Sequence, residues 1–139
     1  MKQRIMNHAS ILVVLSVLLT FIAASTVMYG RLNNYMRQGV RDEALYIQAA
    51  MEQMGESFLT DEIGSLTSSR ITLLDEAGKV LYDSNADVEE LTNHSDRPEI
   101  REAFTDGEAE EVRYSETLSE RTYYYALRLA DGKILRVAR

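Results

Sequence analysis

Hydrophobic and polar positions sort this chain into three successive patterns. No charged residue occurs from Ala9 to Gly30, and Ile11 to Met28 (ILVVLSVLLTFIAASTVM) is almost wholly apolar. As an α-helix, twenty-odd residues rise about 30 Å, the thickness of a bilayer's hydrocarbon core. Such a helix satisfies its own backbone hydrogen bonds, so it can span lipid. A second pattern follows. Val40, Ala44, Ile47, Met51, Met54 and Phe58 recur at alternating steps of 4 and 3, the a/d seam of a heptad, and Leu32 and Met36 extend it backward. The spacing predicts a helix from Leu32 to Met54 or Phe58, continuous with the apolar segment and weakened locally at Gly30 and Gly39.

The third pattern is strand-like. Arg70–Asp75 and Val80–Ser84 flank a turn at Glu76–Lys79 and predict a hairpin. Asn85 to Asn93 reads as loop or a short helical turn. Asp96-Arg-Pro-Glu99 carries helix-start signals, predicting a helix to about Phe104 that ends at Asp106-Gly107. Three strands follow: Glu111–Leu118, Tyr123–Leu129 and Ile134–Ala138, the last entered through a turn at Ala130–Lys133 that echoes Glu76–Lys79. The fold class is α+β: a five-stranded antiparallel sheet with a short helix, one face covered by the long helix, because a lone sheet of this size buries too little surface. The organisation reads as residues 1–8 on the cytoplasmic side, 9–30 a membrane span, 31–60 a juxtamembrane helix and 61–139 a folded domain.

Charge sharpens that layout. Lys2 and Arg4 precede the span, which leans the N-terminus toward the cytoplasm. Beyond Arg31 lie 12 basic and all 22 acidic residues, a net of −10. This acidity argues against nucleic acid and anionic lipid as partners. No cysteine is present, so there is neither a lipoprotein acylation site nor a disulfide framework. The pattern suits a bacterial envelope protein anchored in the plasma membrane with an extracytoplasmic domain. The competing reading is a signal peptide cleaved at Ala23-Ala24-Ser25, although the apolar run continues past that point.

Candidate chemistry is sparse. There is no phosphate loop, no Ser/His/Asp set and no paired carboxylates in a defined cleft, so no catalytic, cofactor or metal residues are assigned. His8 sits at the membrane edge. His94 lies in a loop and is expected to fix that loop through the backbone; with Asp96 or Asp83 it offers too few ligands for a metal. Asp83-Ser84 is expected to form a turn. Tyr114, Tyr123, Tyr124 and Tyr125 cluster with Arg113 and Arg128, and Arg113, Tyr114, Tyr123 and Tyr125 are the candidate lining of a small-anion or polar-ligand pocket, with core packing as the plainer use of the tyrosines. Leu32, Met36, Val40, Ala44 and Ile47 are the candidate dimer and signalling helix, with contact between copies expected toward Leu32–Val40 and packing on the sheet from Ile47 to Phe58.

Four segments carry a family resemblance: RITLLDEAGKVLYDS (70–84), NHSDRPEIREAF (93–104), VRYSETL (112–118) and YYYALRLADGKILRVAR (123–139). Together with the order long helix, β, β, short helix, β, β, β, they resemble the PAS-like, single-Cache extracytoplasmic sensor region of Gram-positive, particularly clostridial, sensor histidine kinases of the phosphate-regulation type. The most specific element is DxxGxVLxDS followed by NHxxRPEI. The resemblance implies a membrane-bound homodimer with two spans per protomer, ATP and a response regulator being engaged by cytoplasmic domains. No kinase domain occurs up to Arg139, so the chain is expected to be the sensing segment of a longer kinase, without enzymatic activity of its own. The alternatives are the same module on a chemoreceptor or cyclic-dinucleotide enzyme, or a secreted binding domain. The ligand stays unassigned.

Overall fold

The computed structural model describes residues 2–115 and 119–139. They form helix α1 (Lys2–Met54), a 3-10 turn (Glu56–Phe58), α2 (Asp61–Leu66), β1 (Arg70–Leu74), β2 (Val80–Asp83), a 3-10 turn (Val88–Glu90), α3 (Pro98–Asp106), β3 (Glu108–Ser115), β4 (Glu120–Arg128) and β5 (Ile134–Ala138). Residues 1–36 and 37–139 make separate compact units.

The first unit is helical throughout its described residues. Its apolar side chains from Ile11 to Met28 are exposed. The helix is long and apolar enough to cross a membrane. Thr20 and Thr26 turn their hydroxyls back onto the Ser16 and Ile22 carbonyls at 2.8 Å, which suits an apolar surrounding.

The second unit is a five-stranded antiparallel sheet in the order β2-β1-β5-β4-β3, with α1 from Arg37 to Met54 laid against one face. The α+β class and the strand series follow the sequence reading. β3 begins three residues earlier than expected because Gly107, at φ 91°, ends α3 and turns the chain straight into the strand. The end of that strand, 116–118, lies outside the described residues. Helix α2 had no sequence expectation, yet Thr60 caps it by accepting from the Ile63 N–H at 3.3 Å, and Asp61 and Glu62 occupy its first turn.

Two cores lie on opposite faces of the sheet. On the α1 face, Val40, Ala44, Ile47 and Met51 are buried, as are Ile71, Leu73, Tyr123, Tyr125, Leu135 and Val137 at alternate strand positions. Each large aliphatic buried there contributes about 1.5–3 kcal/mol. On the other face, Leu74, Val80, Ala126 and Ile134 pack against Ile100 and Ala103 of α3.

This arrangement corrects the seam. Val40 and Ala44 are both 0 % exposed within one chain, and Ile47 is buried, so these three meet their own sheet rather than a second copy. Leu32 remains exposed and Met36 is half-buried. The seam also ends early. Met54 is exposed, and Gly55 at φ 74° breaks the helix before Phe58, which joins the 3-10 turn.

Candidate functional site: a cationic cavity beside the short helix

Strand register builds the site. β1 and β5 are neighbours, with Thr72 opposite Arg136, and β4 lies next to β5. On the face that carries α3, the apolar core fills only one half. In the other half Arg70, Thr72, Asp83, Arg136 and Tyr124 take the inward positions, with Glu99 of α3 above them. A small cavity opens there, lined by Arg70, His94, Arg97, Arg113, Tyr124 and Arg136, with Tyr114 and Ser115 also in its wall.

Its floor is an ordered ionic network. Arg70 Nε donates to both Asp83 carboxylate oxygens, at 2.9 and 3.0 Å. Its Nη2 lies 2.9 Å from Oδ2 but off the hydrogen-bonding direction. The Thr72 hydroxyl donates to Asp83 Oδ2 at 2.9 Å and accepts from Arg136 Nη2 at 3.2 Å. Glu99 Oε1 accepts from Arg113 Nη2 at 3.0 Å and Arg136 Nη1 at 3.3 Å. The Arg113 guanidinium lies 4.1 Å from the Tyr124 ring centre and that of Arg136 5.2 Å, so the ring's negative face adds to their stabilisation.

Buried charge leaves its mark on protonation. Burial pushes the Glu99 carboxyl up, but the hydrogen bond from Arg113 and the charges of Arg113 and Arg136 outweigh it and hold it below the usual range. Burial lowers Arg136, helped by the charges of Arg70 and Arg113 and opposed by Glu99. His94 is 7 % exposed. Burial, then the charges of Arg136, Arg97 and Arg70, lower its pKa to about 4, so the ring is neutral near pH 7.

Of the four candidate pocket residues, Arg113 and Tyr114 line this cavity, Tyr114 as an exposed wall residue. Tyr123 and Tyr125 do not. Strand alternation turns them to the α1 face, where the Tyr123 hydroxyl donates to Glu110 at 2.5 Å and that of Tyr125 to Glu108. Burial and then the Glu110 carboxylate push the Tyr123 phenol up to about 12. Arg37 and Arg41 of α1 lie 5.2 and 5.3 Å from the two ring centres and reach Glu110 at 3.4 and 3.0 Å. Glu43, farther along α1, accepts from the Ser69 hydroxyl at 2.6 Å and from that of Thr67, just before β1. Arg128 also leaves the cluster; it donates to the Phe104 carbonyl at 3.0 Å, near the C-terminal end of α3.

The His94 backbone does fix its loop, donating to Gly78 O at 2.9 Å and accepting from Arg97 N at 3.0 Å, while the ring faces the cavity. Asp83 makes the expected turn contact to Asn85 N at 3.0 Å, but its main partners are Arg70 and Thr72. Arg70, Arg97, Arg136 and Glu99 escaped the sequence reading. For Arg70 and Arg136 the signal was a full charge in two otherwise apolar strands, RITLL and ILRVA, at positions where a central strand has no solvent to offer.

No group of three or more His, Asp or Glu able to hold a metal occurs among the described residues. The cavity is lined by guanidinium groups and two tyrosines, groups suited to binding a polar ligand. Comparison with curated proteins gives no match. The model of the single Cache-like family matches residues 23–134, which take in the end of the apolar helix, β1 to β4 and the cavity residues other than Arg136, and end at the first residue of β5. With that match over most of its length and a five-stranded antiparallel sheet carrying a cavity beside α3, the chain belongs to the single Cache-like family of sensory modules.

Proposed function

We propose that the chain is the membrane anchor and extracytoplasmic sensing segment of a two-component sensor histidine kinase, with its N-terminus in the cytoplasm. One observation carries this reading: three consecutive tyrosines of β4 join the cavity to α1. Tyr124 stacks under Arg113 and Arg136 of the cavity, whereas Tyr123 and Tyr125 lie beneath Arg37 and Arg41 of the helix, and Tyr123 donates to Glu110, which both of those arginines reach. A change in the cavity that moves β4 is felt by α1, and α1 is continuous with the apolar segment. The signal is then a shift between two arrangements, driven by a ligand that binds one of them better. A homodimer and a cytoplasmic response regulator are the partners this role needs, with ATP used by the downstream kinase domain alone.

Orientation is the first test. Alkaline phosphatase fused after Arg139 is expected to be active in a bacterial host, and a reporter that works only in the cytoplasm inactive at the same site. The reverse pattern overturns the proposed topology. Mass spectrometry of the mature N-terminus separates the anchored form from a domain released at Ser25.

A further inference from the structure

We infer that the cavity beside α3 takes a small dianion, gripped by Arg97, Arg113 and Arg136. The inference deepens the sensory reading by naming the ligand's chemical class.

Charge count comes first. Four guanidiniums line the cavity, and two buried carboxylates, Asp83 and Glu99, answer them. Both carboxylates are engaged: Asp83 by Arg70 and Thr72, Glu99 by Arg113 and Arg136 through Oε1, its Oε2 being buried without a partner. The guanidiniums outnumber the buried carboxylates by two; the other acids beside them among the described residues are Asp96, exposed and 3.9 Å from Arg97, and Glu111 near Arg113. This clustering of arginines stands out against a segment of net charge −10, whose general field disfavours anions. A site that gathers four of the segment's twelve basic residues around one cavity is therefore selective rather than generic.

Unused hydrogen-bonding capacity points the same way. Arg97 Nε, Arg113 Nε, Arg136 Nε and His94 Nδ1 are buried and without partners. Arg136 is 1 % exposed and lines the cavity. A buried donor left unpaired costs about 1–3 kcal/mol, and more when charged. An oxyanion supplies acceptors to several of them at once, and guanidinium N–H edges match carboxylate and phosphate oxygens in pairs. Arg97 is the most available of the group, since its nearest acid, Asp96, is 3.9 Å away and 78 % exposed. The space is about 80 Å³, room for a few water molecules, which admits phosphate or a short dicarboxylate and excludes nucleotides and peptides.

Isothermal titration calorimetry on the full chain in uncharged detergent micelles tests this, at mildly alkaline pH, with inorganic phosphate, malonate and acetate as probes. One of the two dianions is expected to saturate a single site, and acetate to bind at least about tenfold more weakly. Phosphate and malonate separate a tetrahedral from a planar ligand group. Arg97→Gln is expected to weaken the dianion about tenfold or more, and Arg101→Gln, exposed on α3, to leave it unchanged. If Arg97→Gln does not fold, Arg113→Lys decides instead: it keeps the charge, loses the paired N–H groups and is expected to weaken binding about tenfold. Saturation by neither dianion, acetate binding as tightly as the dianions, or unchanged affinity in the cavity variant overturns the inference. The measurement involves no output domain, so its failure leaves the transmembrane relay standing, and an inert relay leaves dianion binding standing.

Discussion

Replacing Val40 with aspartate is expected to unfold the sheet unit. Val40 is 0 % exposed on the α1 face, between helix and sheet, where a carboxylate finds no solvent. An unpaired buried charge costs several kcal/mol, a large share of the roughly 5–15 kcal/mol that holds an ordinary domain together. Tyr46→Asp, on the exposed side of the same helix, is expected to leave the melting temperature within about 2 °C of the parent, an effect below about 0.5 kcal/mol. Near-ultraviolet circular dichroism of the full chain in micelles reports both, through the buried tyrosines. Equal melting temperatures for the two variants would show that the helix does not share a core with the sheet.

The second large effect belongs to Glu99. Its Oε1 accepts from both Arg113 and Arg136, and Glu99 is itself 0 % exposed. Glu99→Ala leaves two neighbouring guanidiniums without their shared counter-charge. Removing one partner from a buried ionic network costs about 3–5 kcal/mol, a fall in melting temperature of roughly 10–20 °C for a unit of this size. Acetate or phosphate added to the variant is expected to restore part of that loss, because an anion that binds only the folded form stabilises it by mass action, and to do so more than for the parent chain. A variant that melts with the parent, or one that anions do not rescue, would mean that the network neither supports the fold nor accepts a replacement charge.

How much of this could be read from the sequence depends on which period the residues obey. The helices and strands were legible where apolar positions recur cleanly, as in Val40–Ala44–Ile47–Met51 and RITLLDEAGKVLYDS. The partner of the seam was not. A heptad spacing states that a face is apolar, and both an adjacent sheet and a second helix satisfy it; the burial of Val40 and Ala44 inside one chain decides for the sheet. The cavity was half legible. Arg113 and Tyr114 were found because they sit on a strand with exposed alternate positions. Tyr123 and Tyr125 were misplaced because YYY lies in a strand buried on both faces, where the pattern no longer says which face is which. Arg70 and Arg136 are 66 residues apart in sequence, and only the pairing of β1 with β5 brings them to one place. Such long-range registers leave no local signal. The charges of Arg70 in RITLL and Arg136 in ILRVA were the available hints, since a buried arginine in a central strand requires partners to justify it.

The central claim is that α1 carries the state of the sheet to the membrane, and the rotational phase of that helix tests it most directly. In a chimera joining the chain in frame, through a second span, to a histidine kinase core, one alanine inserted after Gly39 rotates everything before it by about 100° relative to the buried seam that starts at Val40. Autophosphorylation with ATP is expected to change by several-fold and to lose its response to the cavity's anion, while a full-turn insertion of four residues, about 400°, returns it most of the way. Basal activity and response left untouched by the single insertion would contradict the account.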